Sequence, residues 1–166
     1  LPLSRGLGDV YKRQVFGDLF EEIESVKLYK KNKITNNQLL NLSKKINLEP
    51  SLYLKVGAIH GCVLCQEDRP LYYFEDVGRH NAVDKIAGLI LEKKLKTENM
   101  SFYTSGRLTS EMVIKCIKMR IPILLSRSGF TSWAVEIARK KDLTMIGRLR
   151  GKRFSILSGS HRILSE

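Results

Sequence analysis

Apolar positions along the chain switch between two periods, and the switch outlines the fold. From Phe16, Leu19, Phe20, Ile23 and Val26 recur at helical spacing. Asn36 opens a second helical stretch with Leu39, Leu40, Leu42 and Ile46, ending near Pro50. The polar Lys30–Asn37 segment reads as a connection. From Leu54 the texture changes. Leu54–Gln66 and Leu71–Phe74 read as strands, with Arg69-Pro70 in the turn of a β-hairpin. Asn81–Leu95 reads as a helix with Val83, Ile86, Ala87, Ile90 and Leu91 on one face. The short apolar runs Ser101–Thr104, Ile121–Leu125, Leu143–Ile146 and Phe154–Leu157 read as strands. Between them lie helices Ser110–Met119, capped by Thr109 with Glu111 in its first turn, and Thr131–Lys141. The order ββαβαβαββ predicts an α/β sandwich with a largely parallel or mixed central sheet. Residues 1–14 show no clean period and read as a foreign or disordered leader, leaving 15–166 as one domain.

Composition narrows the class. The 166 residues are 43% hydrophobic, which suits a packed domain rather than a disordered chain. The longest apolar run, Ile121–Leu125, is far short of the roughly 18 residues of a membrane helix. Three cysteines, an odd number, make no disulfide framework and point to a reducing cytoplasm. The net charge is +12 and implies an anionic partner. Met112–Arg153 holds eleven basic residues against Glu136 and Asp142, so this stretch alone carries +9. A solvated surface, a nucleic acid and a phosphate-rich small molecule all fit that excess.

Four segments after expected strands carry both glycine and arginine: Glu75–Asn81 (with Gly78, Arg79 and His80), Ser105-Gly106-Arg107, Ser126–Gly129, and Gly147–Arg153. Glycine lets the backbone approach a ligand, and arginine offers a planar fork matched to phosphate. One such loop is a simple turn; four at one sheet edge would form a polyanion cradle. Ser105, Ser126 and Ser128 would add hydroxyl donors, and the helix N-termini would add N–H groups.

Two further groupings invite chemistry. Glu75, Asp76, Arg79, His80, Asp84 and Lys85 form either an ion-pair network at a helix start or a site wall with His80 as acid or base. Cys62 and Cys65, with His60 nearby, have the spacing of a redox pair or half a zinc site. A three-residue offset within a strand puts the two thiols on opposite faces, so they read as buried apolar cysteines. Cys116 stands alone on a helix, and the zinc-deaminase signature is absent. No metal site is expected.

Several segments together resemble the formate dehydrogenase accessory sulfurtransferase family, FdhD/NarQ. They are Gly57–Gly61, the stretch EDVGRHNAVDK at Glu75–Lys85, Ser105–Arg107 with Ser110–Val113, the Ser126 loop with Ala134-Val135, Leu143–Gly147 and Ser158–Ile163. The resemblance implies a cytidine deaminase-like three-layer α/β/α sandwich. It implies a cytoplasmic homodimer that passes persulfide sulfur from a cysteine desulfurase to the molybdenum bis-guanine-dinucleotide cofactor of formate dehydrogenase. GDP would mimic that cofactor, and no zinc is implied. Arg148, Leu149, Arg150, Gly151, Lys152 and Arg153 match the family's cofactor-contacting segment.

One departure stands out. The family's persulfide cysteine lies in a Cys-Gly-x-Cys-Gly-like loop, and the corresponding Tyr11–Gly17 contains no cysteine. The role does not transfer to Cys62 or Cys65. The chain is therefore expected to be a member that lacks the family's N-terminal part and is inactive in sulfur transfer. The alternatives are a non-catalytic cofactor chaperone and a basic nucleic-acid-binding domain. Against the latter, the basic stretch offers only Phe130, Trp133 and Phe154 as aromatics, with no stacking motif.

Overall fold

The computed structural model describes residues 17, 18, 20–49 and 51–165. Helix α1 includes residues 20–24. It is followed by β1 (Ile34–Thr35), α2 (Asn36–Leu48), α3 (Leu52–Val56), β2 (His60–Gln66), β3 (Arg69–Asp76) and α4 (Arg79–Lys93). Then come β4 (Ser101–Thr104), α5 (Ser110–Lys118), β5 (Ile123–Ser126), α6 (Ser132–Lys140), β6 (Thr144–Arg150), β7 (Arg153–Ser158) and β8 (Ile163–Leu164). The leader expected at 1–14 lies outside the described residues.

The main sheet runs β3-β2-β4-β5-β6-β7. Its centre, β4-β5-β6, is parallel; β2, β3 and β7 join antiparallel at the flanks. Parallel neighbours need helical crossovers, and α5 and α6 supply them. Helices α1, α4, α5 and α6 close one face over Cys62, Leu64, Phe102, Leu124 and Met145. Helix α2 closes the other with Leu39, Leu42 and Ile46 against Val63, Cys65, Tyr103, Leu125 and Ile146. Fully burying each such leucine contributes about 1.5–3 kcal/mol. The expected three-layer α/β/α sandwich with a mixed sheet is therefore what the chain forms.

Local chemistry sets the boundaries. Thr35 starts α2 with a reciprocal cap: its Oγ1 accepts from the Gln38 N–H at 3.1 Å, and Gln38 Oε1 accepts from the Thr35 N–H at 2.8 Å. Thr131 Oγ1 accepts from the Ala134 N–H at the start of α6. Thr109 precedes α5 as expected, but its side chain makes no capping bond.

Several expectations are corrected. Leu54–Gln66 is not one strand: residues 52–56 are helical, Gly57 turns the chain at φ 71°, and β2 begins at His60. The hairpin turn falls at Glu67-Asp68, with Glu67 at φ 53°, so Arg69 and Pro70 belong to β3. Proline is tolerated there because β3 is an edge strand. Helix α4 starts two residues early, at Arg79. Lys30–Asn37 is not only a connection, since Ile34 and Thr35 pair in parallel with Ile163 and Leu164. Arg162 locks that closure. Its fully buried guanidinium donates to the carbonyl oxygens of Tyr29 and Asp142, to Thr144 Oγ1 and to the Asp142 carboxylate.

Gly147–Arg153 is also not a loop. Strand β6 continues to Arg150, Gly151-Lys152 makes the turn, and β7 begins at Arg153. Leu149 is buried while Arg148 and Arg150 are exposed, so the segment alternates as an edge hairpin does. A register shift between Gly147 and Arg150 places Arg148 at φ 53°.

Candidate functional site

The four glycine–arginine segments do converge. The carboxyl ends of β3, β4, β5 and β6 and the start of β2 share one sheet edge, fixed by His60 opposite Asp76 and Cys62 opposite Thr104. Hydrogen bonds lace the segments together. The Gly61 N–H donates to Ser105 Oγ at 3.0 Å, and the Ser105 N–H donates to the Gly61 carbonyl at 2.9 Å. Ser126 Oγ donates to the Gly106 carbonyl at 2.6 Å and accepts from the Ser128 N–H at 2.9 Å. Ser128 Oγ donates to the Ser105 carbonyl at 2.7 Å. The Arg148 N–H donates to the Ser128 carbonyl at 3.0 Å, and Arg150 Nε to that of Arg127 at 3.1 Å.

The three serines thus build the edge. Their hydroxyls are engaged within the protein, and Ser105 and Ser126 are buried. Gly106 has a steric role: a Cβ there would come 3.1 Å from the Cβ of Arg79. Leu149 points into the core under α2. The groups offered outward are basic. Arg148, Arg150, Lys152 and Arg153, with Phe154 and Ser155, line an open concavity of about 700 Å³. Among the described residues the guanidinium of Arg153 and the ammonium of Lys152 make no hydrogen bond or ion pair. Arg107 is exposed beside the same edge.

On the other flank, the polar cluster around the start of α4 forms ion pairs within itself and with α5. Asp76 accepts from the Gly78 N–H at 2.9 Å and pairs with Lys85 at 2.8 Å. The Lys85 and Gly78 bonds hold its carboxyl down at about 2. Asp84 reaches α5 and pairs with Lys115. His80 Nε2 lies 3.2 Å from Glu111 Oε2, so the first turns of α4 and α5 meet. Partial burial, then the charge of Arg79, lowers the His80 pKa and favours the neutral ring. Arg79 Nε is buried without a hydrogen-bond partner. Gly78, Arg79 and His80 therefore border the same edge from the side opposite Arg148–Arg153.

The cysteines behave as their spacing implies. Cys62 and Cys65 are fully buried on opposite faces of the sheet, and Cys116 is buried in α5. Burial pushes the Cys62 thiol up to about 12 and raises Cys65 and Cys116 also. Among the described residues no group of three or more His, Cys, Asp or Glu could hold a metal ion. No described helix is long and apolar enough to cross a membrane.

Residues 6–164 match the FdhD/NarQ family. The chain belongs to that family. The sulfur carrier protein FdhD of Saccharolobus solfataricus is 41% identical over 133 residues, which is 79% of this chain and 52% of the relative. That of Listeria monocytogenes is 35% identical over 130 residues, 78% of this chain and 50% of the relative. A crystal structure of a formate dehydrogenase accessory protein from Desulfotalea psychrophila superposes with a TM-score of 0.79 at 34% identity. It covers 87% of this chain and 62% of that one. The chain thus spans about half the length of the FdhD relatives it matches.

Proposed function

We propose that this chain is the cofactor-holding part of an FdhD-type sulfur carrier serving formate dehydrogenase maturation. Its cargo is the molybdenum bis-guanine-dinucleotide cofactor, gripped through its diphosphates. The lacing that fixes Arg148 and Arg150 against the 105–107 and 126–129 loops carries this reading. Seven protein–protein hydrogen bonds hold the Arg148 backbone and the Arg150 side chain beside one concavity. A guanidinium held in place loses little entropy on meeting a diphosphate, and the bidentate geometry favours it. The unpartnered Arg79 Nε supports an anion at this edge. The names of the FdhD relatives support the sulfur-carrier role.

Sulfur transfer itself needs an accessible thiolate. All three cysteines of this chain are buried with raised pKa values, which favours holding over covalent transfer within these residues. The same proposal includes a cysteine desulfurase as sulfur donor, formate dehydrogenase as recipient, a second copy of the chain, and the cytoplasm as location.

Calorimetry with GDP at physiological salt tests it, with ADP, CDP and pyrophosphate as controls and Arg153→Ala alongside. Preferential GDP binding weakened by Arg153→Ala is the expected result. Equal weak binding of every anion, falling steeply with salt, would mean a generic basic surface and would overturn the guanine assignment.

A further inference from the structure

Phe130, just beyond the Ser126–Gly129 segment, touches one of the basic residues that line the concavity. The Arg148 guanidinium carbon lies 5.5 Å from the centroid of the Phe130 ring. Among the described residues that guanidinium has no hydrogen bond or ion pair. The backbone that carries it is nevertheless over-determined. Arg148 is a non-glycine residue in the left-handed region, a conformation that persists only where its surroundings impose it. Its N–H is tied to the Ser128 carbonyl at 3.0 Å. The residue before it is Gly147, where a Cβ would come 2.9 Å from a ring carbon of Phe130. The glycine, the bulge and the ring form one fitted unit. Phe130 is itself fixed, being packed against the core and joined through its backbone to Leu108.

We propose that Phe130 is a positioning residue, which holds the Arg148 guanidinium by its π-face and aims it into the concavity as a diphosphate donor. The inference rests on the reading above. An arginine carried by an aromatic face keeps all its N–H groups for a ligand, whereas one held by a carboxylate has spent them. The ring thus orders the side chain before binding and lowers the entropy lost when a diphosphate arrives.

A double-mutant cycle decides it. Phe130→Leu is expected to weaken GDP binding by about two- to fivefold in the unmodified chain and in Arg153→Ala. In Arg148→Ala it should have no further effect. Phe130→Tyr, which keeps the π-face, should retain binding. The same loss from Phe130→Leu in the Arg148→Ala background would overturn the proposal, since the ring would then act through general packing. Proton NMR of the ligand-free protein gives a separate readout. The Arg148 side-chain protons should be shifted upfield by the ring in the unmodified chain and in Phe130→Tyr, and not in Phe130→Leu. Unshifted signals would also overturn it. Shifted signals with no GDP binding would support the ring's hold on Arg148 and overturn the cofactor reading instead.

Discussion

Ser126 donates its hydroxyl to the carbonyl oxygen of Gly106 at 2.6 Å, across two crossover loops that are far apart in sequence. The Ser126 Oγ also accepts from the Ser128 N–H. One small side chain thereby joins the ends of β4 and β5 and sets the height of the loop beneath Arg148. Ser126→Ala would orphan a buried carbonyl and an amide. Each unsatisfied group costs about 1–3 kcal/mol, so a loss of about 2–6 kcal/mol is expected in urea unfolding. A change under about 0.5 kcal/mol would show that the lacing does not stabilise the edge.

The buried thiols set a second expectation. At pH 8 the Cys62 thiol, pushed up to about 12, is almost wholly protonated, and no cysteine is exposed to solvent. An aromatic disulfide reagent should leave all three unlabelled in the native chain over minutes and label all three in denaturant. Fast native labelling of Cys62 or Cys65 would reopen a covalent role for that residue.

Asp76 gives the fold a dependence on acid. Its folded pKa of about 2 lies below the usual carboxylate value, so the unfolded chain binds the proton more readily. The stability it contributes is present above about pH 4 and fades as pH falls towards 2. Asp76→Asn should flatten the melting temperature against pH across that window. An unchanged slope would remove Asp76 as its source. Nothing comparable is expected near neutrality from this residue.

Arg162→Met keeps bulk and removes the donors that meet Tyr29, Asp142 and Thr144. A loss of about 2–4 kcal/mol is expected, from the Tyr29 and Asp142 carbonyls left without their donor. The amide protons of β1 should lose exchange protection first. Protection retained at Ile34 and Thr35 would show that the pairing with β8 stands without the arginine.

Much of this architecture is legible in the sequence, for a physical reason. Phe102, Leu124 and Met145 sit in short apolar runs bounded by helices with clear faces, and such runs have only the centre of a sheet to go to. The failures share a cause too. Ile34-Thr35 and Ile163-Leu164 are too short to show any period, and only their mutual pairing makes them strands. Residues 52–56 combine β-forming residue types with a helix barely one turn long. The arginine hairpin was hidden because Gly147 and Gly151 suggest a loop, although Arg148, Leu149 and Arg150 already alternate. At the site, residue type identified the arginines. It could not tell which way a serine hydroxyl points, and all three serines point inward to backbone. Phe130 carried no signal of its own: its importance depends on a left-handed Arg148 that no pattern announces.

The parallel pairing of β1 with β8 bears on how the chain is made. Ile34 leaves the ribosome well before Ile163, so β1 must wait for β2 to β7 before it finds its partner. Helices α4, α5 and α6 and their strands can assemble as they emerge, because their contacts are closer in sequence. The stapling by Arg162 follows β7, as a clasp closed on strands already in place. A stop placed before Arg162 would leave the central sheet recognisable and β1 loose, its partner strand never having arrived.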